Sequence, residues 1–171
     1  MIIKIIGIAL VMISATLIGF CFSECMVCRE REVGNLGDAV AIMEDCLECT
    51  MEPVGRLFGK ALPHVKGGVH DMFALTDKYV ADGMSASKAW CAALDESACA
   101  LCLRRSDCEY LKACADSFCA NDIGQQKMQL KSLRSKISML GDDIKNYNNK
   151  NCRLYKALGV YGGVFLCAVL F

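Results

Sequence analysis

Proline and histidine are nearly missing from this 171-residue chain, with two of each, and tryptophan occurs once. With so few prolines, little interrupts a helix. The two histidines, His64 and His70, stand six apart next to turn-forming residues, which leaves no histidine-based catalytic or metal set and reads as two surface side chains. Net charge is also missing: 19 basic residues balance 19 acidic ones, so bulk charge points neither to nucleic acid nor to an acidic substrate. No Gly-rich phosphate loop, nucleophile elbow or paired-carboxylate motif is present. Asp142 and Asp143 are adjacent and diverge by about 100° on a helix, too far apart for an acid–base pair. Runs rich in Val, Ile and Thr with period two are absent too, which excludes a sheet.

What the chain does have is apolar sequence at both ends. Ile5 to Phe22 is uncharged, broken only by Ser14 and Thr16, and Ala157 to Phe171 is a second such run. A membrane-spanning helix takes about 17–25 residues, so the first run qualifies outright. The second is short, but Leu154 and Tyr155 extend it while Lys156 reaches back to the interface. A cleaved signal peptide is the rival for the first run. Gly19-Phe20-Cys21-Phe22 offers no small-residue cleavage site, so an uncleaved anchor is expected. Basic residues near the runs set orientation: Lys4 lies outside, whereas Arg29, Arg31, Lys145, Lys150, Arg153 and Lys156 lie between them. The expected layout is a transmembrane helix over 1–23, a cytoplasmic helical domain over 24–153, and a second transmembrane helix over 154–171.

Between the anchors every signal is helical. Val33, Leu36, Val40, Met43 and Leu47 recur at spacings of three and four, one buried stripe. Pro53 suits the first turn of a new helix running through Leu57 and Phe58 to Pro63. A further helix covers Val69 to Ala81 and stops at Gly83, and Ser85 caps one carrying Ala86, Ala89, Trp90 and Ala93. Ser106 to Glu109 reads as a capping box, and Asp122 to Gln125 can act the same way for a long last helix. There Leu130, Leu133, Ile137, Leu140, Ile144 and Tyr147 keep a heptad, with Asn151 as its polar exception and Gly141 as a weak point. Nothing caps that helix before Ala157. Asn121 to Lys156 holds eight Lys or Arg against three Asp, a basic face suited to lipid headgroups or an acidic partner, or simply to water. The fold class is all-α. Trp90 is expected in the core.

Thirteen cysteines pull the other way, since disulfide frameworks belong to oxidising compartments. Yet the count is odd, Cys21 and Cys167 lie inside the apolar runs, and several others fall at helical spacing, where free cysteine packs as a small apolar side chain. Cys25/Cys28, Cys46/Cys49 and Cys99/Cys102 are C-x-x-C pairs. Two such pairs brought together would make a structural zinc or iron–sulfur site, with Cys46, Cys49, Cys99 and Cys102 as candidates. A membrane-tethered cysteine-rich metal or redox protein is therefore the alternative class. No cofactor is otherwise called for.

The residues also resemble a known family nearly end to end. Ser14-Ala15-Thr16-Leu17-Ile18-Gly19-Phe20, then Glu52-Pro53 with Leu57-Phe58, resemble stretches of the stage III sporulation protein AB family. So do Gly83, Ser85, Ala86, Ala89, Trp90 and Leu94, as G-x-S-A-x-x-A-W-x-x-x-L, and the D-x-x-x-Q spacing of Asp122 and Gln126. Tyr155-Lys156, Leu158-Gly159 and Gly162 resemble its closing anchor. Phe118-Cys119 departs from the family's Leu-Gly. The resemblance implies a non-enzymatic membrane subunit of the secretion-like complex linking mother cell and forespore, its soluble domain similar to those of type II secretion platform proteins. It implies as partners the sporulation ATPase of the same operon, multi-pass membrane subunits and membrane lipid, with no nucleic acid. The location implied is the mother-cell membrane around the forespore. Gly83, Ser85, Trp90, Asp122 and Gln126 are then candidates for shaping a docking surface.

Overall fold

The structure, a computed structural model, describes residues 2–118 and 122–170, with side chains for most of them outside 2–15 and 152–170. Among these residues there are only helices: α1 (Ile2–Thr50), α2 (Val54–Ala61), α3 (Gly68–Ala81), α4 (Ala86–Ser97), α5 (Arg105–Ala113) and α6 (Ile123–Leu170). Two short 3₁₀ turns, Leu62–His64 and Cys114–Phe118, follow α2 and α5. The chain divides into two compact units. One is Arg29–Asp143; the other joins Met1–Cys28 to Ile144–Phe171. Helix α6 runs unbroken for 48 residues, as the missing cap before Ala157 implied. Among the described residues no helix is long and apolar enough to cross a membrane. Most side chains of the two apolar runs, where the anchors are expected, lie outside the described residues.

In the Arg29–Asp143 unit the α1 stripe holds as expected: Val33, Leu36, Val40, Met43 and Leu47 are all buried. Leu130, Leu133 and Ile137 are buried along its part of α6, and Ile144 is buried in the other unit. The heptad fails at its end. Tyr147 is exposed, and the inward position belongs to Asn148, which in the other unit donates Nδ2–H to the carbonyl of Met26 at 2.9 Å. A 3.6-residue helix drifts away from a strict seven-residue repeat, so the inward position moves by one residue.

Chain stops and starts follow local chemistry. α3 ends where Gly83 takes φ +93°. The amide of Met84 reaches the Tyr79 carbonyl and that of Gly83 the Val80 carbonyl, both at 3.0 Å, a Schellman closure. Ser85 is the N-cap residue of α4, although its hydroxyl makes no capping bond. The capping box read at Ser106–Glu109 is displaced by two residues. Arg104 is the N-cap, and Asp107 at N3 accepts the Arg104 amide at 2.9 Å. Asp107 does so because its carboxylate is buried and held by another group, whereas Glu109 lies in solvent and pairs with Arg105 at 3.2 Å. Pro53 precedes α2 as its N-cap rather than entering its first turn.

Helices α2 to α5 share an aromatic centre. Phe58 and Phe73 meet edge to face at 5.3 Å between centroids, and Trp90 and Phe118 lie 5.0 Å apart. Phe118 also meets Phe58 at 5.5 Å, so the departure from the family's Leu at this position fills the same core. Trp90 is fully buried, and its indole N–H donates to the Leu111 carbonyl at 3.0 Å. That bond removes the usual penalty of burying an indole. Trp90→Ala therefore loses both packing and a bond that ties α4 to α5. Urea unfolding should show a loss of about 3–5 kcal/mol. An unchanged midpoint would contradict the core placement.

Candidate functional site

The expected docking residues separate into two groups. Trp90 and Gln126 are buried, so they hold shape and cannot meet a partner directly. Gly83, Ser85 and Asp122 are exposed. Gly83 and Ser85 flank Met84, a half-exposed apolar side chain, at the corner between α3 and α4. Two links tie α4 to its neighbours, one to α3 and one to α5. The Tyr79 hydroxyl donates to Glu96 at 2.6 Å, which pushes the phenol above its ordinary range. Lys112 pairs with Asp95, which raises the ammonium in the same sense.

Asp122 sits at the start of α6. Its carboxylate faces the Gln125 amide at 3.3 Å, the first half of the expected box, and its carbonyl accepts the Gln126 amide at 2.9 Å. Beside it, Leu47, Glu48, Met51, Ile123, Gly124 and Lys127 line a groove of about 260 Å³. Lys127 binds Glu48 at 2.6 Å and holds that carboxyl below its ordinary range. Thus Gly83, Ser85 and Trp90 share the α3–α4 region, while Asp122 and Gln126 open α6.

Sequence reasoning missed three buried carboxylates of this unit, Asp107, Glu32 and Glu44. Asp107 takes both nitrogens of Arg29, Nε and Nη2, each at 2.7 Å. Arg29 reads in the sequence as a basic flank of the first anchor, but in the structure it is a buried ion-pair partner. Glu32, also buried, lies over Gly67 and faces the Val69 amide at 3.4 Å, at the positive N-terminus of α3. Gly67 has φ +69°, and a Cβ there would stand 2.8 Å from a Glu32 oxygen. The Gly67-Gly68 pair was the only sequence signal of that close approach.

Among the described residues, Cys46/Cys49 and Cys99/Cys102 do not form a metal set. No group of three or more His, Cys, Asp or Glu suited to a metal ion forms among the described residues, and Cys119, Cys152 and Cys167 lie outside them. Cys46 and Cys49 lie on the last two turns of α1, with Cys49 exposed. Cys99 and Cys102 belong to the turn after α4, where Cys102 takes φ +51° and its amide meets the Cys99 carbonyl at 3.1 Å. That is a helix-ending turn, closed by the Leu103 amide on the Ala98 carbonyl at 3.1 Å, not a metal knuckle. His64 and His70 are both exposed.

The described residues are all-helical, with the short helices α2 to α5 in the Arg29–Asp143 unit, and they assemble no catalytic set. The chain belongs to the stage III sporulation protein AB family, whose model matches residues 4–171. A solved structure described as stage III sporulation protein AB (SpoIIIAB) is similar with a TM-score of 0.63 and 20% identity, covering 71% of this chain and 97% of its own. At that identity the likeness concerns the fold. No curated protein sequence matches the chain.

Burial distinguishes the thiols. Desolvation pushes the thiols of Cys108 and Cys114 above their ordinary value, so both stay protonated at neutral pH. Alkylation should therefore reach the exposed Cys25, Cys49 and Cys99 well before Cys108 and Cys114. Because the folded state holds these protons more tightly than the unfolded one, stability should fall as pH rises past the ordinary thiol range. Equal labelling rates across all five would contradict the burial.

Proposed function

We propose that this chain is a non-enzymatic membrane subunit of the sporulation secretion-like complex between mother cell and forespore. In this reading it couples a cytoplasmic ATPase to multi-pass membrane components. The observation that carries the reading is membership of the stage III sporulation protein AB family over residues 4–171. Two features of the sequence and fold support it. Both long helices include an uncharged apolar run, Ile5–Phe22 in α1 and Ala157 onward in α6, each suited to a lipid anchor. In this reading the anchors stand in the mother-cell membrane, and the basic flanks Arg31, Lys145, Lys150, Arg153 and Lys156 keep the Arg29–Asp143 unit on the cytoplasmic side.

The domain has the build of an adaptor. Its buried polar groups hold helices together, and its exposed corner at Gly83-Met84-Ser85 presents an apolar side chain on a turn closed by backbone hydrogen bonds. In the proposed assembly that corner meets the ATPase, and α6 from Asp122 onward is the coupling rod. The soluble domain is then a counterpart of the cytoplasmic helical domains of type II secretion platform proteins. Titration calorimetry of the full chain in detergent, under reducing conditions, against the sporulation ATPase of the same organism tests this. Saturable binding that survives moderate salt is expected, and Met84→Asp should weaken it about tenfold or more without changing the melt. Absence of heat with a folded chain would contradict the partner.

A further inference from the structure

The face of the Arg29–Asp143 unit formed by α1 and α6 carries exposed charge of both signs. Glu44, on α1, is nine-tenths buried, and its Oε2 has no hydrogen-bond partner. The nearest cations, Lys131 and Arg134 on α6, stand 3.7 and 3.6 Å from its carboxylate, beyond hydrogen-bond length. These three residues line an open groove of about 610 Å³ with Ser135, Ser138 and Met139. Such a carboxylate is costly to leave short of donors.

Sequence on the two helices is complementary. Outward positions of α1 hold Gly34, Asp38, Ala41 and Asp45, acidic and otherwise small; Gly34 has open space where a Cβ would stand. Outward positions of α6 hold Lys131, Arg134, Ser135 and Ser138, basic and otherwise small. Asp38 and Asp45 form no ion pair among the described residues. Register is fixed by Glu48 beside Lys127, Glu44 beside Lys131, Gly37 beside Ile137 and Gly141 beside Val33. Asp45 is thus nearly level with Lys131, and Asp38 lies two or three residues from level with Arg134.

We infer that this face binds a second copy of the chain, related by a two-fold axis parallel to α1 and α6. Such an axis keeps every residue at its own level and lays α1 of one copy over α6 of the other. Asp45 of each copy then meets Lys131 of the other, and Asp38 approaches Arg134. Glu44 Oε2 is itself covered by this chain's own atoms, so the second copy reaches the exposed Lys131 and Arg134 rather than that carboxylate. Glycine, alanine and serine between the charges permit helix axes about 8–10 Å apart. An acidic stripe beside a basic one is self-complementary under this symmetry, which makes a copy of the same chain the best-matched occupant. A single-sign partner would leave one of the two stripes facing like charge.

Charge exchange tests the inference on full chains carrying two different tags, co-expressed and purified together in detergent. Wild-type copies should co-purify. Asp45→Lys copies should not pair with each other, nor should Lys131→Glu copies, since each combination opposes like charges at both sites. An Asp45→Lys chain with a Lys131→Glu chain restores one native pair and one reversed pair, so co-purification should return. The recovery also shows that the variants are folded. The inference is overturned if wild-type copies do not co-purify, if either variant pairs with itself as the wild type does, or if the mixed pair stays apart.

Discussion

A single buried ion pair, Arg29 with Asp107, decides where α5 sits on α1. Its two 2.7 Å bonds join residues 78 apart in sequence. Asp107 uses the same carboxylate to accept the Arg104 amide, so one group both starts α5 and ties it to α1. Once α5 is placed, the Leu111 carbonyl is in position for the Trp90 indole, and the aromatic centre of Phe58, Phe73, Trp90 and Phe118 closes around it. The pair adds little net stability compared with an apolar replacement, because desolvating two charges offsets most of their attraction. Its value is registry. Either charge alone would be left buried without a counter-ion.

Around that pin the energy is divided unequally. The apolar stripes of α1 and α6 and the aromatic centre supply the bulk of it through burial. Exposed pairs such as Arg105–Glu109 and Lys60–Glu52 contribute about 0–1 kcal/mol each. The proposed adaptor role, passing load between a motor and a membrane, calls for this distribution. A rigid apolar core carries force, buried polar pins keep helices from sliding, and the charged surface is left for recognition.

Much of the fold could be read from the residues, and the failures share a cause. The stripe at Val33, Leu36, Val40, Met43 and Leu47 was legible because periodicity is local. Gly83 and Ser85 marked a helix end and start for the same reason. Arg29 and Asp107 were not legible, since nothing local separates a buried arginine from one flanking a membrane. Asp107 was passed over in favour of Ser106 and Glu109, which fit a capping pattern but face solvent. The last heptad position went to Tyr147 by spacing and to Asn148 by accumulated helix rotation. Candidate site residues were legible as segments only. The sequence could not tell that Trp90 and Gln126 would be buried while Gly83, Ser85 and Asp122 stay exposed.

The pin itself is open to direct measurement, because Trp90 is the chain's one tryptophan and its fluorescence reports on this core alone. A double-mutant cycle on the full chain in detergent would compare Arg29→Met, Asp107→Asn and the two together, by denaturant unfolding. Each single change should cost about 3–5 kcal/mol, because it strands a buried charge. The double variant should recover about 1–3 kcal/mol relative to the sum. Losses that add to within about 0.5 kcal/mol would contradict the pair as the constraint that places α5.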